Sequence, residues 1–182
     1  MINLYKYIRT FKAIIKKKIT SPYIYAKRIG VNIGSNCFVP DKDCWSSEPY
    51  LISVGDHCQI TSGVRIFTHG GGNAVRCHIS DFDVFGKVKI GNWCYIGNNS
   101  LIMPGVTIGD QVLVASGSVV TKSVPSRVVV AGNPARIICT IDEYLARNNR
   151  YNIGSYGLSH EKKKSLLQNL DESRFIHKTY LK

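Results

Sequence analysis

The chain has 182 residues, 44% of them hydrophobic and 20% charged, which is a globular composition long enough to bury a sizeable core. No apolar run of about 18 residues occurs, and lysines and arginines break up the N-terminal apolar stretch, so neither a spanning helix nor a secretory signal is expected and a cytoplasmic location is the default. The net charge of +12 lies mostly in the ends: residues 1–40 hold eight basic and no acidic side chains, whereas residues 41–140 hold eight basic and seven acidic, so no nucleic-acid-binding core is expected.

At the N-terminus, Leu4, Ile8, Phe11, Ile15 and Ile19 recur at helical spacing, with Lys6, Arg9, Lys12, Lys16 and Lys17 opposite them. Residues 1–28 therefore read as a basic amphipathic helix. It has two candidate roles: a cap on the open end of the repeat that follows, or a contact with an anionic membrane that would put the protein at the inner membrane face.

From Val54 an aliphatic residue recurs every six positions: Val54, Ile60 and Ile66, then Val84, Ile90, Ile96, Ile102, Ile108, Val114 and Val120. Four residues after these stand small or branched residues: Cys58, Val64, Val88, Cys94, Ser100, Val106, Val112, Ser118 and Val124. Ile33-Gly34-Ser35-Asn36-Cys37 follows the same rule in another phase. A period of six fits neither a helix nor a plain alternating strand. It fits an all-β solenoid in which three short strands and three turns complete each coil and the aliphatic residue points inward. The six cysteines, at 37, 44, 58, 77, 94 and 139, form no C-x-x-C and read as reduced thiols, mostly small core fillers.

Between Ile66 and Val84 the repeat lapses. Residues 70–83, GGGNAVRCHISDFD, read as an excursion loop, with Arg76, His78, Asp81 and Asp83 among its polar groups. His69 stands directly before it, at the fourth, outward position of its hexad. His57 has the equivalent position two units earlier, twelve residues away, which in a three-sided coil is a different face.

The hexads IGNWCY-IGNNSL-IMPGVT-IGDQVL-VASGSV-VTKSVP, followed by VVVAGNPARII, resemble the hexapeptide-repeat acyltransferases over about residues 29–140. The segment IFTHGGG…DVFGKVKIGN resembles the branch that O-acetylates sugars of surface polysaccharides, near the galactoside-type acetyltransferases. The resemblance implies a left-handed parallel β-helix, a homotrimer, acetyl coenzyme A as donor, and a sugar or polysaccharide acceptor in capsule or O-antigen biosynthesis.

It also implies that His69 is the general base, which suits a neutral imidazole near pH 7. A carboxylate should orient the imidazole. Asp81 and Asp83 are the loop candidates and Asp56 a weaker one. Asn98 and Ser116 map onto positions that serve the oxyanion or the pantetheine amides, and Thr121, Lys122 and Arg136 onto positions that meet the pantetheine arm or the phosphates. Many relatives read Asn-Asn-Val-Trp-Ile-Gly where this chain has Asn92-Trp93-Cys94-Tyr95-Ile96-Gly97. Trp93 and Tyr95, with Arg76 and His78, are therefore candidate acceptor-binding residues. Acetylation of an amino-sugar nucleotide or of serine is the alternative within the family. A non-catalytic scaffold and a zinc hydratase are the alternatives outside it. The His-x4-His spacing of the hydratase pattern is absent, and no metal is expected.

After Ile138 the hexads stop. Residues 141–182 read as a polar tail of short helices, without chemistry.

Overall fold

The computed structural model describes residues 20–180. The apolar and basic stripes at positions 4–19 lie outside the described residues. The first described helix, α1 (Pro22–Ile29), begins where the Ser21 side chain accepts from the Ile24 N–H and Pro22 occupies the first turn. It ends at Gly30, whose φ of 105° only glycine adopts without strain. Ala26 is fully buried and the Tyr23 hydroxyl donates to the Gly34 carbonyl at 2.8 Å, so α1 is fixed to the start of the repeat.

The repeat forms three parallel sheets. The first contains β1 (Asn32–Ile33), β2 (Ile52–Val54), β5 (Val88–Ile90) and β8 (Thr107–Ile108). The second contains β3 (Gln59–Ile60), β6 (Tyr95–Ile96), β9 (Leu113–Val114) and β11 (Val128–Gly132), with β12 (Ala135–Thr140) antiparallel at its edge. The third contains β4 (Arg65–Ile66), β7 (Leu101–Ile102) and β10 (Val119–Val120). From β2 to β10 consecutive strands go to consecutive sheets, and each of β2 to β7 pairs with the strand three further on, so the chain coils around one axis. Ile90 lies beside Ile108 and Ile96 beside Val114, a register of 18 residues per coil.

Nine of the ten in-phase aliphatic residues are buried, as are all nine residues four positions later. Val84 departs from the pattern and is 52% exposed. The repeat resumes at Val88, because residues 84–87 still belong to the returning arm of the excursion. Ile66 lies beside Ile102, so the register across the excursion is 36 residues. One coil's length of chain has been displaced outward while the phase is kept.

Coil stacking leaves no room for side chains at some corners. A Cβ on Gly97 would lie 2.5 Å from the Ser116 nitrogen and 2.7 Å from the Val114 oxygen, both backbone atoms of the next coil. At another corner Cys37, Cys58 and Cys94 form a column whose thiols donate to the carbonyls of Gly55, Gly91 and Gly109 at 3.0–3.1 Å. All six cysteines are free; four are buried, and Cys77 is exposed on the excursion. Burial pushes the Cys44 thiol up to about 12, which makes it unreactive near neutral pH.

The chain divides after Ile141 into two compact units. The second contains α2 (Ile141–Asn148, which starts at the boundary) and α3 (His160–Gln168), the latter capped by Ser159. Not one residue from 142 to 180 is buried, so the described part of this unit has no core of its own.

Candidate active site

The three corners of the coil sort the polar residues. The corner between the third and first sheets carries His69 and the excursion, then Met103-Pro104-Gly105, then Thr121-Lys122. The corner between the second and third sheets carries Asn98 and Ser116, and that between the first and second carries His57, Trp93 and Gln111.

His69 follows β4 and pairs with Phe85 across the base of the excursion. The neighbouring Gly86 N–H donates to the Thr68 carbonyl at 2.7 Å, so both arms of the loop are clamped to the coil. His69 Nδ1 lies 2.7 Å from Glu48 Oε2, with side-chain exposures of 36% and 18%. The Thr68 hydroxyl donates to the same carboxylate oxygen at 2.8 Å and lies 2.7 Å from Ser46 Oγ. Hydrogen bonds from Thr68, then Ser47 and His69, hold the Glu48 carboxyl below the usual carboxylate range, against a smaller opposing effect of desolvation. An ionised Glu48 can only accept, so Nδ1 is the donor to it and, in the neutral ring, Nε2 is the nitrogen with the lone pair. The imidazole is thus oriented as a base with one free nitrogen.

The carboxylates expected in this role stand elsewhere. Asp83 faces Arg76 at 3.8 Å, Asp81 is exposed on the loop, and Asp56 Oδ1 accepts from the Ser35 N–H. Glu48 precedes β2 in the first, irregular coil, which is 21 to 22 residues long: Ile33 lies beside Val54, and the Ile66 N–H donates to the Cys44 carbonyl. Glu48 stands 21 residues before His69 and so lies one coil from it. Glu48 lies outside both the excursion and the regular hexads, so neither pattern points to it.

Within the excursion, Gly72–Ala74 forms a single 3-10 turn and the Arg76 guanidinium donates to the Phe82 carbonyl at 3.2 Å. His78 is exposed on this loop. The side chain nearest to the His69 ring among the aromatics is Phe85, 53% exposed, with ring centroids 5.5 Å apart. An acceptor whose hydroxyl meets Nε2 would have Phe85 as a wall. Tyr95 lies on the outer face of the second sheet and Trp93 at another corner, so within one chain neither reaches His69. The same separation keeps His57 from sharing a metal ion with His69 in one chain.

Of the residues expected to bind the donor, Lys122 and Arg136 line one cleft of about 380 Å³ with Ser123, Val124, Pro125, Val130, Ala135 and Ile137. Two cations beside an apolar wall fit a ligand with both phosphate and apolar parts. Thr121 adjoins this cleft at the corner that carries His69, two coils further on, or about 10 Å along the axis at strand spacing. Asn98 and Ser116 stand one above the other at a different corner, where the Gly117 N–H donates to the Asn98 carbonyl at 2.8 Å. In one chain they do not face a carbonyl held at His69.

Comparison with known proteins gives likenesses of three kinds: to a family, to individual relatives and to a solved structure. The family described as "Bacterial transferase hexapeptide (six repeats)" matches residues 86–122. The chain is 40% identical over 139 residues to Protein CapG of Staphylococcus aureus, covering 75% of this chain and 80% of that one. It is 30% identical over 140 residues to a galactoside O-acetyltransferase of Escherichia coli K12, covering 76% and 66%. Among solved structures it resembles a hexapeptide-repeat acetyltransferase from Vibrio cholerae O1 biovar eltor complexed with acetyl coenzyme A, with 28% identity and a TM-score of 0.52 over 61% of this chain and 60% of that one.

Proposed function

Since the chain belongs to the bacterial hexapeptide-repeat transferases, we propose that it moves an acetyl group from acetyl coenzyme A to a hydroxyl of a sugar in a surface polysaccharide, either capsule or O-antigen. It is an acetyltransferase by its kinship, and acetyl coenzyme A is its donor substrate. The coil is left-handed, as the family resemblance implies. The observation that carries the reading is His69: its Nδ1 is tied to Glu48, its Nε2 has no partner among the described residues, and its corner continues into the Lys122–Arg136 cleft.

In this reading His69 Nε2 removes the proton of the acceptor hydroxyl as that oxygen attacks the thioester carbonyl. The carbon–sulfur bond breaks and His69 returns the proton to the departing thiolate, so coenzyme A leaves as a thiol. Glu48 holds the imidazolium between the two transfers. Lys122 and Arg136 hold the phosphates of the donor, and Thr121 meets its pantetheine arm.

The acceptor class is tested by following transfer of labelled acetyl from acetyl coenzyme A to neutral hexopyranosides, amino-sugar nucleotides and serine. Only the hexopyranosides should be O-acetylated; transfer to an amine or to serine overturns the sugar reading. Coenzyme A at about 100 times its dissociation constant should stabilise the fold by about 2.7 kcal/mol in a thermal melt. No stabilisation would favour a non-catalytic scaffold.

Asn98 and Ser116 act in this scheme only through a second copy. We therefore also propose a homotrimer, in which their corner in one copy meets the His69 corner of the next. Light scattering should give about three times the chain mass of 20.3 kDa; a monomeric mass removes Asn98 and Ser116 from the site.

A further inference from the structure

Trp93 and His57 take no part in the chemistry above, yet their rings stack closely and nearly parallel. Trp93 is 60% exposed and its ring lies flat against the His57 ring, with centroids 4.0 Å apart and planes 4° from parallel. Both residues have left-handed backbones, with φ of 56° and 57°. That conformation is unusual for bulky side chains and holds both rings outward at the corner. His57 covers one face of Trp93. Beside the pair lies a cleft of about 460 Å³, completed by Asp56, Asn92, Asp110 and Gln111.

The polar groups of this cleft are fixed in place by a ladder. The Ser35 N–H donates to Asp56 Oδ1 at 2.6 Å, the Asp56 N–H to Asn92 Oδ1 at 2.8 Å, the Asn92 N–H to Asp110 Oδ1 at 2.6 Å, and the Asp110 N–H to Ser126 Oγ at 2.9 Å. The ladder uses Oδ1 of each carboxylate and leaves Oδ2 of Asp56 and of Asp110 outside it, on residues that line the cleft. Arg127 likewise donates to Gln111 Oε1 at 2.7 Å, which leaves the Gln111 amide nitrogen as a donor. Groups already held this way lose little further freedom when a ligand binds.

We propose that this corner is a glycan-docking site distinct from the acetyl-transfer centre, taking a neutral hexopyranose unit of an oligosaccharide or polysaccharide. A pyranose presents an apolar C–H face, which suits the uncovered face of an indole. Its rim of hydroxyls donates to Asp56 and Asp110 and accepts from Gln111. The two carboxylates disfavour uronic or other acidic sugars and phosphate-bearing ligands. An apolar partner would leave the charged rim unpaired. The site stands on this corner's own geometry and goes beyond the reading of His69: the enzyme would hold a glycan chain at a place other than the one where it acetylates.

The test uses the full chain without acetyl coenzyme A, so its outcome is separate from that of the transfer assay. The probes are maltohexaose, a galactan-derived hexasaccharide and an oligogalacturonate of equal length. At least one neutral hexasaccharide should shift the tryptophan emission in a saturable way, with a dissociation constant of about 1 mM or tighter, and the oligogalacturonate should bind at least about tenfold more weakly. The other tryptophan, Trp45, has a buried Nε1. Trp93→Asn, which tolerates the left-handed backbone, should abolish the heat of binding in calorimetry. Asp110→Asn keeps the ladder acceptor and should narrow the gap between neutral and acidic probes to less than about threefold. The proposal is overturned if no neutral hexasaccharide gives a saturable response up to about 20 mM, if Trp93→Asn binds as wild type, or if acrylamide, a neutral quencher that the two carboxylates do not repel, fails to quench Trp93 in the free protein, which would mean that a second copy covers the cleft.

Discussion

Replacing His69 by alanine should lower the turnover of acetyl transfer by about 10²–10⁴-fold, the usual share of general acid–base catalysis, while coenzyme A affinity barely changes. Two histidines compete for the role, and they differ in what holds them. His69 is placed by the β4 coil, by its pairing with Phe85 and by the bond to Glu48. His78 is exposed in the excursion, where its backbone N–H donates to the Val75 carbonyl and no partner among the described residues holds its ring. A base must sit within about 3 Å of the proton it takes, which favours the clamped residue. His78→Ala should therefore cost less. Steady-state turnover and coenzyme A binding for both variants decide between them: an active His69→Ala beside a dead His78→Ala would move the base into the loop.

Glu48→Gln should lower turnover by about 10²–10³-fold, through the tautomer and without lost contact area. Glutamine can offer its NH₂ to Nδ1, and the imidazole proton then moves to Nε2, where the lone pair is needed. Thermal stability near neutral pH and coenzyme A binding should stay close to wild type, which separates a positioning role from a structural one. Equal turnover in the two proteins would remove Glu48 from the mechanism. The pH dependence of stability gives a second readout. The Glu48 carboxyl is held low in the folded state by Thr68 first, then by Ser47 and His69. Its ionised form therefore stabilises the fold above the usual carboxylate range, and that contribution is lost as the pH falls through the lowered folded value. Glu48→Gln should lack this part of the acid-side loss in a series of melts between neutral pH and about pH 3.

The repeat was readable because one residue in six must fill the interior of the coil, and Ile60, Ile96 and Ile102 have no other place to go. Val84 matched the period by coincidence: it stands in the returning arm of the loop, where burial is not required. His69 was readable as the last outward residue before three glycines. Its partner was not, because Glu48 lies in a coil of 21 to 22 residues, and a pattern built on 18 points to the wrong neighbour. The separation of Trp93 from His69 was hidden for a related reason. Position within a hexad tells whether a side chain faces in or out, whereas the corner it occupies depends on counting hexads in threes. The glycines beside Trp93 and His57 tell the same story: Gly55 and Gly91 each face the backbone of the adjacent coil within 2.8 Å of a Cβ, a constraint set by stacking.

The doubled register across the excursion bears on how such a site arises. Pairing Ile66 with Ile102 closes 36 residues of chain, against 18 for Ile90 with Ile108. Loop-closure entropy grows only with the logarithm of length, so this doubling costs about 0.6 kcal/mol. The clamp of Thr68 on Gly86 and of His69 on Phe85 then holds the two stems whatever lies between them. The loop beside His69 can lengthen, shorten or change composition at this point for less free energy than a typical hydrogen bond contributes, on an unchanged scaffold.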